Sequence, residues 1–220
     1  MNRRPTLLAA AAVTAAAVVS LSACGGSDGA GSKDSDKIAG SDSGTEKGAS
    51  PSAKAPGDGV KRPEIKLPKD VHNVFEGGRT GDPKKDAVLA DNERWVNSLI
   101  EAVTVKAKDH PALKFYAAGD GLLSSAEYVQ GFQKNKKSFI GTTRYYNRQV
   151  TFLKDGVAAV TYCQDGKKTY PKDLKTGAVD RSIKPSANDY TFFNTRVKKN
   201  AEGVWQTDSV TSTAGAKKCM

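Results

Sequence analysis

The chain has 220 residues, 34 of them basic and 24 acidic, with three cysteines and two histidines and a formal charge of +10. So few soft ligands exclude a zinc-finger or iron–sulfur architecture. Ordinary domains run about 50–250 residues, so one folded domain is expected, with length left for punctuation.

Residues 1–23 read as an export signal. Arg3 and Arg4 supply the charged start, and residues 6–21 are an almost unbroken run of Ala, Val and Leu. That run is shorter than the ~20 residues a membrane span needs. It ends in Leu21-Ser-Ala-Cys24, which resembles the lipobox of bacterial lipoproteins. The resemblance implies that Cys24 is lipidated and becomes the first residue of the mature chain. Two acyl chains hold a protein stably where one holds it marginally. The expected place is the extracytoplasmic face of the cell membrane, lipid-anchored.

Residues 24–60 hold the lipidated Cys24 and a tether. From Gly25 to Gly59 the segment is rich in Gly, Ser, Asp, Lys, Ala and Pro, and Ile38 is its single large aliphatic residue. It cannot recover its ordering entropy by burial, so a flexible spacer with a mean reach of ~30–35 Å is expected. Six of the 34 basic and six of the 24 acidic residues precede residue 61, so the remainder keeps 28 and 18 and is +10 by itself. Outside the cytoplasm the matching anions are lipid headgroups and wall polymers. Nucleic acid is not expected as a partner: the basic runs at 133–137 and 196–199 lack interleaved aromatic platforms and read as solvated faces.

Residues 61–81 read as an irregular lead-in, and 82–220 as an α+β domain. Asp82-Pro83 gives an N-cap followed by Pro at the first helical position. Val88, Trp95, Val96, Leu99, Ala102 and Val103 then follow at helical spacing toward Lys108 and a stop near His110-Pro111. Residues 112–118 form a short helical piece. Ser124 and Glu127 stand at capping-box spacing and predict a helix opening there, with Tyr128, Val129 and Phe132 on its apolar face. After Lys137 the period changes to two, predicting strands at 142–153, 157–164, 190–198 and 204–213, with turns at Asp155-Gly156 and Glu202-Gly203 and a polar excursion over 165–189. Helices followed by an antiparallel meander imply a sheet covered on one face.

This order of elements over about residues 82–213 resembles the nuclear transport factor two-like (cystatin-like) superfamily. The resemblance implies N-terminal helices packed into a curved antiparallel sheet, a cone. Leu113-Lys-Phe-Tyr-Ala-Ala-Gly-Asp-Gly121, Thr143-Arg-Tyr-Tyr146, Val150-Thr-Phe-Leu-Lys-Asp-Gly156, Ala159-Val-Thr-Tyr-Cys163 and Val204-Trp-Gln-Thr207 also resemble uncharacterised secreted actinobacterial lipoproteins of the Streptomyces type. That second resemblance implies location and fold, and no reaction.

With Cys24 lipidated, Cys163 and Cys219 form an even pair in an oxidising compartment, read as a disulfide, with a reactive thiol pair as the alternative. The cone of such a fold is either filled with side chains or holds a ligand. Aromatic and polar strand residues nominate Tyr146, Arg148, Phe152, Tyr162, Phe192 and Trp205 as candidate ligand contacts, although alternation places only some of them inward.

Enzymes of the resembled superfamily, such as ketosteroid isomerase, scytalone dehydratase and polyketide cyclases, use a buried Asp or a His-Asp pair with a Tyr. Here His72 precedes the first helix and His110 sits at a helix end, which leaves Asp120, Asp165 or Asp208 with Tyr146 or Tyr162. Residues 78–83 lack the Gly-Lys-Ser/Thr ending of a P-loop, and Gly-X-Ser-X-Gly, His-Glu-X-X-His and EF-hand signatures are absent. The expectation is a non-catalytic lipoprotein without metal or cofactor. Its expected partners are the membrane through its anchor, and an anionic envelope polymer or a small hydrophobic ligand. The alternatives are an envelope enzyme of the ketosteroid isomerase/dehydratase type and a basic wall-adhesion domain.

Overall fold

The computed structural model describes residues 59–220, so the signal, Cys24 and nearly all of the tether lie outside the described residues. The elements are β1 (Val71–Phe75), α1 (Pro83–Thr104), α2 (Pro111–Tyr116), α3 (Gly119–Lys134), β2 (Lys137–Lys154), β3 (Val157–Asp173), β4 (Tyr190–Lys199) and β5 (Trp205–Ala214). They form an α+β fold in which one five-stranded sheet runs in the order β1-β2-β3-β4-β5. Strands β2 to β5 are an antiparallel meander, as the alternation predicts, and β1 pairs parallel with β2.

Helix α1 starts where the sequence places it. Asp82 accepts hydrogen bonds from the backbone N–H groups of Lys84 and Lys85 at 2.8 and 3.4 Å, with Pro83 behind it. Val88, Leu89, Trp95, Val96, Ile100, Ala102 and Val103 bury one stripe of the helix. Each such side chain stabilises the fold by roughly 1.5–3 kcal/mol when fully buried. The helix ends at Thr104 rather than near Lys108, because Val105 turns extended while its N–H still bonds the Glu101 carbonyl. Three consecutive β-branched residues, Val103-Thr104-Val105, weaken helix at that point.

Helix α3 begins earlier than the capping box implies. Its N-cap is Ala118 and its first residue is Gly119, so Ser124 and Glu127 lie inside it. The reason is contact with the sheet. Ala118 donates its N–H to the Thr207 carbonyl of β5, and a Cβ on Gly121 would collide with that same carbonyl. Ser125, one residue past the expected cap, is buried. It donates to the Gly121 carbonyl at 2.7 Å and accepts from Trp95 Nε1 at 3.3 Å. Of the expected apolar face, Val129 is buried and Phe132 packs on the core, while Tyr128 is largely exposed.

Two corrections concern the strands. Five residues of the expected lead-in form β1, with Ile65 and Leu67 ahead of them on the core. His72 and Asn73 hide this short strand from a hydrophobic scan, yet Asn73 Nδ2 donates to Asn97 Oδ1 of α1 at 2.7 Å and ties β1 to the helix layer. The three helices serve as the crossover that a parallel pair requires. The expected polar excursion is also strand as far as Asp173, because β3 continues along the start of β2, pairing Lys137 with Asp173 and Gly141 with Thr169. Register shifts interrupt the β2–β3 ladder between Thr142 and Arg144, Tyr146 and Gln149, and Phe152 and Lys154. Bulges of this kind bend a strand and raise its twist.

The helices cover one face of the sheet, and the main core lies between, holding Trp95, Tyr116, Tyr145, Tyr162, Val160, Val197 and Trp205. The other face carries a small second cluster of Cys163, Ala216 and Cys219 with Tyr146, Tyr190 and Phe192 against it. The expected disulfide joins Cys163 of β3 to Cys219 across a sequence separation of 56 residues. Among the described residues no helix is long and apolar enough to cross a membrane.

Candidate functional site: the helix-covered interior and the opposite sheet face

Alternation along β2 and β3 divides the six candidate contacts between two faces, so they do not form one site. Tyr162 belongs to the main core and its neighbour Cys163 to the opposite cluster, and Tyr145 and Tyr146 divide in the same way. Arg148 would share the face of Tyr146 in a regular strand. Instead Asn147 takes a left-handed conformation, φ 52°, within the shift between Tyr146 and Gln149, and Arg148 reaches α1. Asn is among the few residues that adopt this backbone readily.

The Arg148 side chain is completely buried. One guanidinium nitrogen pairs with Glu93, Nη2 donates to the Leu89 carbonyl at 2.9 Å, and the guanidinium carbon lies 5.2 Å from the Phe75 ring centre. The Phe75 ring stacks on Tyr145 at 4.7 Å. Trp205 is buried in the core, and Phe152 stands 6.1 Å from it, 41% exposed at the end of β2.

Tyr162 is the innermost candidate. Burial pushes its hydroxyl well above the ordinary tyrosine value, against the opposing pull of the Arg148 charge and the Asn92 side chain. Burial likewise raises Tyr145, with the neighbouring tyrosines adding to it. A group so displaced stays a neutral phenol at physiological pH.

The polar residues around this interior come from one turn of α1 that sequence reasoning missed. Asp91 is buried and satisfied on three sides. Arg94 Nη1 reaches Oδ1 at 2.8 Å, Arg62 Nη2 reaches the same oxygen at 3.3 Å, and the Trp205 N–H donates to Oδ2 at 2.9 Å. Asn92 is buried beside Tyr162, and Glu93 holds Arg148. The signal was present in the spacing: positions 91 and 92 follow Val88 by three and four residues, on the stripe that leads to Trp95.

None of the three expected acids faces Tyr162. Asp120 is exposed at the start of α3. Asp165 lies 3.6 Å from Lys167, and its charge is felt by Tyr146 on the helix-free side. Asp208 accepts from Arg196 Nε at 2.7 Å and sits 3.0 Å from Lys198 Nζ. Burial pushes the Asp208 carboxyl up, but its bonds to Lys198 and Arg196 outweigh this and hold it below the ordinary value. His72 is exposed on β1, and His110 caps α2 without a side-chain bond.

On the helix-free face the aromatics carry cations. Arg144 lies 4.2 Å over the Tyr146 ring, Lys167 4.9 Å over Tyr190, and Lys218 over Phe192. Tyr146 donates its hydroxyl to the Cys219 carbonyl, which fastens the tail beside these pairs. Two of the cations are each also paired with a carboxylate, Arg144 with Glu76 and Lys167 with Asp165. Among the described residues no group of three His, Cys, Asp or Glu side chains is placed to hold a metal. A surface hollow of about 510 Å³, lined by Gly59, Val60, Lys61, Phe115 and Glu202, includes none of the six candidates.

No protein-family model matches the chain, and no curated protein matches it. Solved structures do. A ketosteroid isomerase-like protein from Erwinia carotovora atroseptica SCRI1043 is 17% identical, over 58% of this chain and 93% of that one, with a TM-score of 0.41. The intermembrane space region of the chloroplast protein ARC6 is 15% identical over 56% and 92%, with a TM-score of 0.37. A protein described as a putative ketosteroid isomerase from Shewanella frigidimarina NCIMB 400 is 9% identical over 64% and 99%, with a TM-score of 0.34.

Proposed function

We propose that this chain is a lipid-anchored extracytoplasmic protein of the cell envelope. Its +10 domain binds an anionic envelope polymer without catalysing a reaction, through the helix-free sheet face. The observation that carries the reading is how the two sides of the sheet are used. Inside, Tyr145, Tyr162, Tyr116 and Trp95 fill the space under the helices, and the carboxylates of Asp91 and Glu93 are already paired with arginines. Proton abstraction needs a base within reach of the reacting atom, and the acids nominated for that role lie elsewhere. Outside, cations rest on aromatic rings beside the disulfide. The anchor rests on Leu21-Ser-Ala-Cys24. A polymer held through charge binds more weakly as salt rises.

The test uses the lipidated chain on its membranes. Purified anionic wall polymer should bind it at low salt and leave it steeply across a salt series. The variant Lys167→Glu, Lys218→Glu should bind less while keeping the wild-type far-UV spectrum. Binding that ignores both salt and these lysines would remove the polymer from the reading. Cys24→Ala should lose its partition into detergent phase, and retention by that variant would remove the anchor. An envelope enzyme is the second reading, favoured by the placement of Tyr162 beside Asn92 and Arg148. It requires turnover that Tyr162→Phe abolishes with the fold intact.

A further inference from the structure

We propose that the tip of the sheet made by the β2–β3 hairpin and the β4–β5 turn is a lipid-contacting surface, which seats the domain on the bilayer that holds its anchor; this rests on the lipidation of Cys24 proposed above. Three segments meet at the tip. The Lys199 N–H donates to the Gly156 carbonyl at 2.8 Å and joins the β4–β5 turn to the hairpin. Trp205, the first residue of β5, packs against both, with the Phe152 ring centre at 6.1 Å and Lys199 Nζ at 5.9 Å from its ring. The third segment is the start of the described chain. Val60 and Lys61 share a hollow with Glu202 of the β4–β5 turn, and Arg62 pairs with Asp91, the carboxylate that also accepts from the Trp205 N–H. The sequence ahead of residue 59, Cys24 included, therefore joins the domain at this tip.

The same tip presents apolar surface to solvent. Phe152 is 41% and Leu153 58% exposed, and among the described residues they are the only two consecutive large hydrophobic side chains so exposed. Lys154 follows them directly, and Lys199 reaches over Trp205. Asp155 and Glu202 are the acids of the two turns, and Lys198 is held by Asp208 at 3.0 Å. Apolar side chains of this kind enter the boundary between headgroups and acyl chains, while the long stems of neighbouring lysines keep their ammonium groups in water.

A bilayer suits this tip better than a protein does. A stable protein interface takes about 800 Å² from each partner, which two side chains at a hairpin end do not supply. A bilayer asks for no matching shape, and an anchor on the same chain makes the contact intramolecular, so that a weak insertion is enough. Attachment also sets the orientation. Strand β3 runs 17 residues away from the hairpin, up to about 55 Å at 3.3 Å per residue. The far end of the sheet is the more basic one, with Lys134, Lys136, Lys137, Lys172, Lys175 and Arg181 near the pairing of Lys137 with Asp173. Charge alone would turn that end to an anionic bilayer, whereas insertion of Phe152 and Leu153 turns the tip to it.

Fluorescence on the full lipidated chain, in vesicles of phosphatidylglycerol and phosphatidylcholine, distinguishes the two orientations. An environment-sensitive label is placed on Leu153→Cys or, as control, on Ser182→Cys toward the basic end, Cys163 and Cys219 being bridged. Emission at 153 should shift to the blue and be quenched by lipids spin-labelled near the headgroup, and emission at 182 should do neither. Adding Phe152→Ser to the Leu153→Cys chain should abolish the shift. Lys154→Glu with Lys199→Glu, which leaves the apolar pair in place, should reduce it, each variant keeping the wild-type far-UV spectrum. A label at 153 that stays as wet as the one at 182, on a chain that remains with the vesicles, would overturn the contact and leave the anchor standing. Equal shifts at both sites would overturn it in favour of charge alone, and a shift produced by soluble wall polymer without vesicles would do so in favour of the polymer. Loss of the unmutated chain from the vesicles would remove anchor and contact together.

Discussion

The Arg148 guanidinium meets the Glu93 carboxylate of α1 only because the preceding residue, Asn147, is left-handed and turns the strand inward. Removing one partner of a buried pair strands the other. Arg148→Met is therefore expected to destabilise the domain by about 3–5 kcal/mol. The double variant Arg148→Met, Glu93→Leu should recover most of that loss. Urea unfolding of the two variants side by side measures the difference. A single variant as stable as the wild type would show that water reaches the pair.

The disulfide closes a long loop, and its loss acts chiefly on the unfolded chain. Cys163→Ala with Cys219→Ala should cost about 4 kcal/mol on the loop-entropy estimate for a separation of 56 residues. Because the Cys219 carbonyl also accepts from Tyr146, amide exchange at residues 215–220 should rise first and most. A uniform rise across the sheet would instead mean that the bridge supports the whole core.

Gly121 is the tightest contact between α3 and the sheet. Gly121→Ala puts a methyl against the Thr207 carbonyl, where backbone has to move. The expected cost is about 1–3 kcal/mol despite the better helix propensity of alanine. Gly131→Ala in the same helix, where an added Cβ meets nothing within 4 Å, should stabilise by up to about 1 kcal/mol. Thermal unfolding of the pair separates packing from propensity.

High pH attacks the interior. Tyr145 and Tyr162 are held neutral, with pKa values above the ordinary value of 10.0. The stability from these raised groups is complete below pH 10 and is lost as the pH climbs above it, because the unfolded chain releases their protons first. Absorbance of phenolate should show part of the seven tyrosines ionising only as the circular dichroism collapses. Reversible titration of all seven near pH 10 with the fold intact would contradict the burial.

The order of elements and the strand-to-strand turns were legible because the period of the apolar residues changes near Lys137 and Asp155-Gly156 has its usual hairpin meaning. What alternation could not supply was its own phase. One left-handed residue, Asn147, resets the period, so Tyr146 and Arg148 go to opposite sides although they are two apart. Strand β1 escaped because five residues with His and Asn in the middle are too short for a pattern, and its partner lies some 70 residues away. The start of α3 escaped for a tertiary reason, since close approach to Thr207 outranked a local Ser and Glu at capping spacing. The polar turn of α1 escaped because Asp91, Asn92 and Glu93 look like a solvated turn until the arginines that pair with the two acids are placed.

Residues 59–75 form a strap whose fastenings come in series: Arg62 on Asp91, Ile65 and Leu67 on the core, the Lys66 N–H on Glu101, and then the five pairs of β1 with β2. A pull arriving from the N-terminal side is thus met one fastening at a time, the first of them on α1 itself. The strap can yield and re-seat by steps, as a mechanical fuse does. On the C-terminal side the covalent bridge of Cys219 to Cys163 allows no such stepwise release. The domain therefore has a compliant end and a stiff end.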